Sequence, residues 1–186
     1  MNTTTNHSSI LRQAPDVIAD NVLRLERDLA GSVVNDLNPL LGSLFTLFHQ
    51  YQKHHWVVTG PQFGQLHDFL KDGYSELHDQ ADKVAERITA LGGVPVSTPA
   101  RQQELACFET EPEGVFDLRQ MLEHDLNAEG DIISMLRVLI RRFNGLGDFA
   151  SEQILREIIV EREEYAHHLE HYLALESLTR AMHPML

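Results

Sequence analysis

A run of apolar residues spaced three and four positions apart constrains the fold of this chain more than any other feature. Its members are Leu37, Leu41, Leu44, Phe48, Tyr51 and His55. This spacing repeats one face of an α-helix, and Thr59-Gly60-Pro61 ends the pattern. We therefore expect a long helix with His55 on its apolar side. Asn38–Pro39 could start this helix or follow a looser first turn.

Three further segments have the length and periodicity of long helices, and no segment has a clear β-strand pattern. They span residues 63–91, 112–142 and 149–178; Gly92-Gly93-Val94-Pro95 ends the first of them, and residues 144–148 separate the other two. Shorter helices could form over residues 16–31, ending near Gly31, and over residues 99–106 in the connection between the second and third long helices. Four long helices with such a crossover predict an all-α four-helix bundle.

The domain organisation that follows is a single bundle between two short tails. We expect an N-terminal tail with a short helix over residues 1–30, the bundle over residues 31–178 and a C-terminal tail over residues 179–186. The one cysteine, Cys107, excludes an internal disulfide framework, which fits a reducing compartment. The sequence has no apolar run near membrane-spanning length and no signal-peptide pattern, so a cytoplasmic protein is expected.

The second long helix carries a row of side chains that bind metal ions. With about 100° per residue, one face collects the following residues. They are His67, Lys71, His78, Asp82 and Glu86. His67 and Asp82 are 15 residues apart, about 22 Å along the axis, so one chain cannot bring both to one ion. Two copies of this helix packed antiparallel about a two-fold axis can bring these residues to one ion. One register places His67 beside Asp82 and Glu86 of the partner subunit.

Imidazole and carboxylate ligands together suit iron or zinc, and His55 reaches the same region from the end of the preceding helix. Two ordinary explanations compete with a metal site. A single histidine on a helix face is usually packed or solvated, and Asp82 with Glu86 could be a surface charge pair that meets Lys83 and Arg87. The joint spacing of the histidines and carboxylates is harder to explain in this way.

At these residues the chain resembles the Dps miniferritins, the ferritin-like DNA-binding proteins from starved cells. The resemblance is strongest over residues 54–93 and extends through the bundle layout. It implies a hollow dodecamer of ferritin-like four-helix subunits that oxidises Fe(II) at sites shared across two-fold axes and stores ferric mineral. Carried over by position, His55 and His67 are ligands from one subunit, and Asp82 and Glu86 are ligands from its partner. Trp56 matches the tryptophan beside the site, where it could equally serve packing.

Lys71 departs from the family pattern, which usually has an aspartate there. An ammonium group cannot ligate a cation. His78 lies one turn before Asp82 on the same face, so it is our candidate for a third imidazole, which would shift the site toward zinc or a differently tuned iron pair. The competing view is that His78 is only an interface residue and the second metal position is weak.

Other ligand-like residues give weaker signals. Glu164 and His167 have the spacing of a di-iron motif within one bundle, but residues 37–60 lack the acidic residue that such a site needs. His167, His168 and His171 are therefore expected at the surface or an interface, with an accessory metal site as the alternative. The family's acidic pores suggest Asp148, Glu152 and Glu163 as residues that attract Fe(II), although a solvated charged face explains them nearly as well.

The tails and the net charge argue against strong DNA binding. The net charge is −13, and Arg12 and Arg180 are the only basic residues of Lys/Arg type in residues 1–15 and 177–186. We expect a ferroxidase and iron-storage cage that removes Fe(II) together with its oxidant. The alternatives are a DNA-compacting structural protein and a zinc-binding cage with weak oxidation.

Overall fold

The computed structural model describes residues 10–174, and this range contains five α-helices and no strand. They are α1 (Arg27–Val57), α2 (Phe63–Ala90), α3 (Pro99–Leu105), α4 (Leu118–Leu146) and α5 (Phe149–Leu173). The four long helices form the bundle, and α3 lies in the crossover between α2 and α4. This is the all-α bundle that the sequence predicts. No helix within residues 10–174 combines the length and apolar character needed to cross a membrane.

The first long helix starts earlier than the sequence suggested. Residues 16–26 form no helix, and α1 runs without interruption through Gly31 and Pro39. Gly31 does not end a helix there, because its role is close packing: a Cβ at this position would lie 3.3 Å from Ile18. Asn38 does not begin a helix either, since its side chain binds the backbone of Val94 and Val96 in the crossover. The bundle therefore begins at Arg27 rather than at residue 31.

The second half of the chain contains the two predicted long helices, and both ends of the first of them are shifted. The expected helix at residues 112–142 starts only at Leu118, because the preceding segment is irregular and bends at Gly114, which has a φ of 135°. The predicted break at residues 144–148 is shorter than expected, because α4 continues to Leu146. Gly147 ends α4 with a φ of 75°, and the Asp148 side chain accepts a hydrogen bond from the Ser151 N–H at the start of α5. The predicted end of the last helix, near residue 178, and the C-terminal tail lie outside the described residues. Of the N-terminal tail, residues 1–9 also lie outside them.

Candidate metal centre

His55 and His67 lie against each other at the corner between α1 and α2. Their rings stack with centroids 3.7 Å apart and planes 24° from parallel. His55 Nδ1 lies 2.8 Å from the carbonyl oxygen of His67, and His67 Nδ1 lies 3.0 Å from the carbonyl oxygen of His55. A carbonyl can only accept, so both Nδ1 atoms carry a proton, and in the neutral form of each ring the free lone pair is on Nε2. This is the tautomer in which imidazole binds a metal ion.

Aromatic side chains surround this pair. The Phe63 ring lies 4.8 Å from that of His67, and the Tyr74 ring packs edge-on against His55 at 5.4 Å. Both imidazoles are half-buried, whereas the neighbouring Trp56 is 68% exposed. In one subunit Trp56 therefore does not pack in the core, and an exposed apolar surface adjoins the paired histidines.

The predicted carboxylates are not close to these histidines within one chain. Asp82 and Glu86 are exposed on the later turns of α2. Among residues 10–174, no three side chains of His, Cys, Asp or Glu are grouped closely enough to hold a metal ion. One subunit thus supplies half of the predicted ligand set at each of two separate positions on its surface.

Lys71 and His78 occupy the exposed face of α2 between these two positions. The His78 side chain is 60% exposed, and its Nδ1 lies 3.7 Å from the Asp79 carboxylate. Its ring lies 6.4 Å from Phe45 and 5.9 Å from Phe48 of α1. His78 is therefore partly oriented by its own subunit while remaining accessible to another molecule.

The interior of the bundle contains a guanidinium group that the sequence interpretation did not anticipate. Arg162 is fully buried and donates to Glu129 at 2.9 Å and to Glu76 at 3.3 Å, and Tyr51 donates to Glu129 at 2.7 Å. Burial raises the pKa of Glu129 to about 6, although Arg162 opposes this shift. A fixed cation at this position disfavours a metal ion inside the bundle. Glu164 and His167 are exposed and do not join the network.

A second buried network joins α1 to α4 and to the segment before α4. His54 is fully buried, with Nδ1 2.8 Å from Asp125 and Nε2 3.0 Å from Glu111. Burial lowers the pKa of His54, but the hydrogen bonds and charges of the two carboxylates outweigh it and raise the pKa overall. Gln50 also donates to Asp125, and Lys53 pairs with Glu111. Sequence patterns did not indicate this role for His54, because its partners are distant along the chain.

The three carboxylates considered for an iron-attracting pore all have partners within the subunit. Asp148 is buried and bonded to Arg87 at 2.6 Å and to Ser151. Glu152 is bonded to Arg156 at 2.7 Å, and Glu163 to Arg137 at 2.6 Å. Asp148 is thus occupied in capping α5, and the other two are neutralised by adjacent arginines.

The sequence of this chain is similar to a protein-family model and to several known proteins. Residues 34–178 match the model of the ferritin-like domain. The chain is 44% identical to the nutrient stress-induced DNA-binding protein of a Synechococcus species over 171 residues, which cover 92% of this chain and 97% of that protein. It is 41% identical to the DNA protection during starvation protein of Halobacterium salinarum over 165 residues, which cover 89% of this chain and 91% of that protein.

Two solved structures have the same fold. The archaeal Dps homologue from Halobacterium salinarum superimposes with a TM-score of 0.89 at 38% identity, covering 92% of this chain and 96% of that one. DpsC from Streptomyces coelicolor superimposes with a TM-score of 0.88 at 28% identity, covering 91% and 99%. The ferritin-like form of the four-helix bundle is thereby confirmed.

Proposed function

Because this chain belongs to the Dps miniferritins of the ferritin-like family, we propose that it oxidises Fe(II) at sites shared between subunits and stores the ferric product in a homo-oligomeric cage. The observation that carries this proposal is the His55–His67 pair, whose two Nε2 lone pairs are oriented before any metal arrives. Two imidazoles do not complete a metal site, so we infer that the remaining ligands, Asp82 and Glu86, come from another chain.

A two-fold axis across α2 supplies the second half. When two copies of α2 pack antiparallel in the register that sets His67 opposite the partner's Glu86, position 71 faces the partner's Asp82. Residues 82 and 86 are one turn apart, so both carboxylates meet the histidine pair together. The exposed Trp56 and Phe63 lie beside this contact and would be covered by the second subunit. The contact is symmetric, so each dimer has two sites, and the same interface fits a closed dodecamer.

The chemistry follows from the charge of the ligands. Neutral imidazoles and anionic carboxylates both bind Fe(II), the substrate, but carboxylates attract the triply charged product more strongly than the doubly charged substrate. This difference favours loss of an electron from Fe(II) to the oxidant, dioxygen or hydrogen peroxide. No protein nucleophile takes part, and the residues act by holding and orienting the ion.

We assign His78 as an additional ligand in place of the aspartate that Lys71 has replaced. His78 is accessible and lies one turn from Asp82 on the same face of α2. A third imidazole makes the site richer in nitrogen, so Zn²⁺ should compete with iron there. Zinc occupancy with slow oxidation is the alternative outcome, and the metal content of the isolated protein separates it from the iron-oxidising function.

Reassembly of mixed subunits tests the shared site directly. Subunits carrying His67→Ala and subunits carrying Glu86→Ala should each be inactive, because every site in either homo-oligomer lacks a ligand. In a mixed dimer, one of the two sites draws both halves from unaltered positions. Random reassembly should therefore restore about a quarter of the sites, by two-fold symmetry.

The matched control mixes His67→Ala with His55→Ala subunits. Both substitutions affect the same half of the site, so no combination restores a complete ligand set. Stopped-flow Fe(II) oxidation measures all mixtures at equal subunit concentration. Equal activity in the two mixtures, or fast stoichiometric oxidation by a verified monomer, would reject the shared site.

A further inference from the structure

Two histidines in the last two turns of α5 have the arrangement of a metal-binding pair. His167 and His171 are four residues apart, so both side chains leave the same face of the helix. Their Nε2 atoms lie 3.1 Å apart, and both side chains are exposed. We propose that His167 and His171 form a surface site, separate from the iron-oxidising site, for a borderline divalent cation such as Zn²⁺ or Cu²⁺.

The distance between the two nitrogens matches that of neighbouring ligands on one ion. A zinc–nitrogen bond is about 2.0–2.1 Å long, so two such ligands lie roughly 2.9–3.4 Å apart when their angle at the ion is between about 90° and 109°. The observed 3.1 Å falls within this interval. Without a cation, the two nitrogens need a proton between them, since two lone pairs would repel each other. A metal ion bound to both nitrogens removes this requirement.

The surroundings of the pair favour a cation. Glu170 Oε2 lies 3.8 Å from Nδ1 of His167, the ring nitrogen that would not bind the metal. At this distance the carboxylate makes no hydrogen bond to the ring, but it adds negative charge beside the pair. His171 lies in the last turn of α5, where the unpaired backbone carbonyls of the helix end carry a partial negative charge.

This pair faces a different direction from the histidines of the proposed iron site. Phe69 of α2 contacts His168 and Tyr172 of α5, with ring centroids 6.0 and 5.4 Å apart, so this side of α2 faces α5. His67 is two residues earlier on α2 and therefore about 200° around the helix. The donor sets also differ, because two imidazoles without a carboxylate ligand favour Cu²⁺ and Zn²⁺ over Fe²⁺.

His168 provides a matched control within the same cluster. Its ring lies 6.4 Å from that of His167, but it is one position away on the helix and packs toward Phe69. The exposed His168 side chain has the same chemistry and nearly the same position in the sequence, without the facing Nε2 atom. Glutamine substitutions keep polarity and approximate size, so the three variants differ mainly in which imidazole is lost.

Equilibrium dialysis of the assembled full-length protein against micromolar Zn²⁺ tests the proposal. His167→Gln and His171→Gln should each bind one Zn²⁺ fewer per subunit than wild type, whereas His168→Gln should match wild type. Fe(II) oxidation should be the same in all four proteins. With Cu²⁺, the electron paramagnetic resonance signal of a two-nitrogen site should disappear in His167→Gln and in His171→Gln.

Two outcomes of the Zn²⁺ measurement would contradict the proposal. If His167→Gln and His171→Gln retain the wild-type Zn²⁺ count, the 3.1 Å contact is only a hydrogen bond between imidazoles, and the proposal is wrong. If His168→Gln loses an ion to the same extent, the ligand pair has been misassigned. Because Fe(II) oxidation is measured separately, failure of this site leaves the shared iron site untouched.

Discussion

His55 and His67 exchange hydrogen bonds, each ring donating from Nδ1 to the backbone carbonyl of the other residue. The two bonds close a reciprocal pair across the corner between α1 and α2, and the rings stack at 3.7 Å. The orientation of each Nε2 atom is therefore set by a backbone carbonyl at the other position, and the stacking adds a direct contact between the two side chains.

The first prediction is that substitutions of these histidines are not additive. His55→Ala removes one ligand and the stacking partner of His67, while the backbone carbonyl that accepts from His67 Nδ1 remains. Either single variant leaves the same ion without one of its ligands. His55→Ala, His67→Ala and the double variant should therefore slow Fe(II) oxidation to a similar extent, about 10-fold to 100-fold or more. Stopped-flow initial rates on assembled protein measure this, with exposed Asp68→Ala as the control. Independent, multiplying effects would show that the pair does not act as a unit.

The second prediction separates His78 from Lys71. His78→Ala should lose metal at one of the paired positions and slow Fe(II) oxidation by roughly 10-fold or more, because an imidazole ligand is removed. Lys71→Ala should be much milder, since an ammonium group cannot be a ligand. Both residues are exposed on α2, so assembly should persist in both variants, and size-exclusion chromatography checks this. Full metal occupancy and rate in His78→Ala would mean that the second position simply lacks a ligand.

The sequence was sufficient for the architecture because helical periodicity is a local property. The apolar stripe from Leu37 to Tyr51 and the glycine turn at Gly147 determined where helices run and stop. The start of α1 was missed for the same reason. Gly31 and Pro39 are usually signs of a helix boundary, but here packing against Ile18 and binding of the crossover by Asn38 stabilise a continuous helix.

The candidate site was predictable in part. The pairing of His55 with His67 followed from spacing and resemblance, but the backbone hydrogen bonds that set the tautomer needed coordinates. The buried networks could not be predicted, because Arg162 and Glu129 are 33 residues apart and His54 and Asp125 are 71 apart. A buried arginine on an apolar helix face is the one signal that could have indicated the first network.

The third prediction concerns the buried ion pair in the bundle. Arg162→Ala leaves Glu129 buried beside Tyr51 without its countercharge, so the free energy of unfolding should fall by about 3–5 kcal/mol. Arg137→Ala breaks the exposed pair with Glu163 and should change it by at most about 1 kcal/mol. Guanidinium unfolding at equal subunit concentration compares them. A double variant, Arg162→Met with Glu129→Gln, should recover much of the loss, and similar midpoints for the two single variants would refute the prediction.

The fourth prediction is a pH dependence of stability that arises from His54. The pKa of His54 is raised in the folded chain, so above the ordinary value of 6.5 the folded state binds more protons than the unfolded state. Its stabilising contribution is complete below pH 6.5 and is lost as pH rises through the folded pKa. Glu129, with a pKa of about 6, acts mainly below this window. His54→Gln should flatten the fall in unfolding free energy above pH 6.5, whereas exposed His168→Gln should not. Identical slopes in wild type and His54→Gln would exclude this role.

The last prediction concerns DNA, which two similar proteins bind or protect according to their names. Binding to the phosphate backbone gains most of its free energy from lysines and arginines that release counterions. This chain has a net charge of −13, and its first 15 residues contain one arginine and no lysine. We therefore expect unchanged plasmid mobility at about 0.15 M salt with micromolar assembled protein. A variant with several lysines added to residues 1–9 is the positive control, and it should retard the plasmid in a manner that salt reverses. A salt-sensitive shift by the wild-type protein would show that DNA binds to a basic surface of the assembly rather than to a tail.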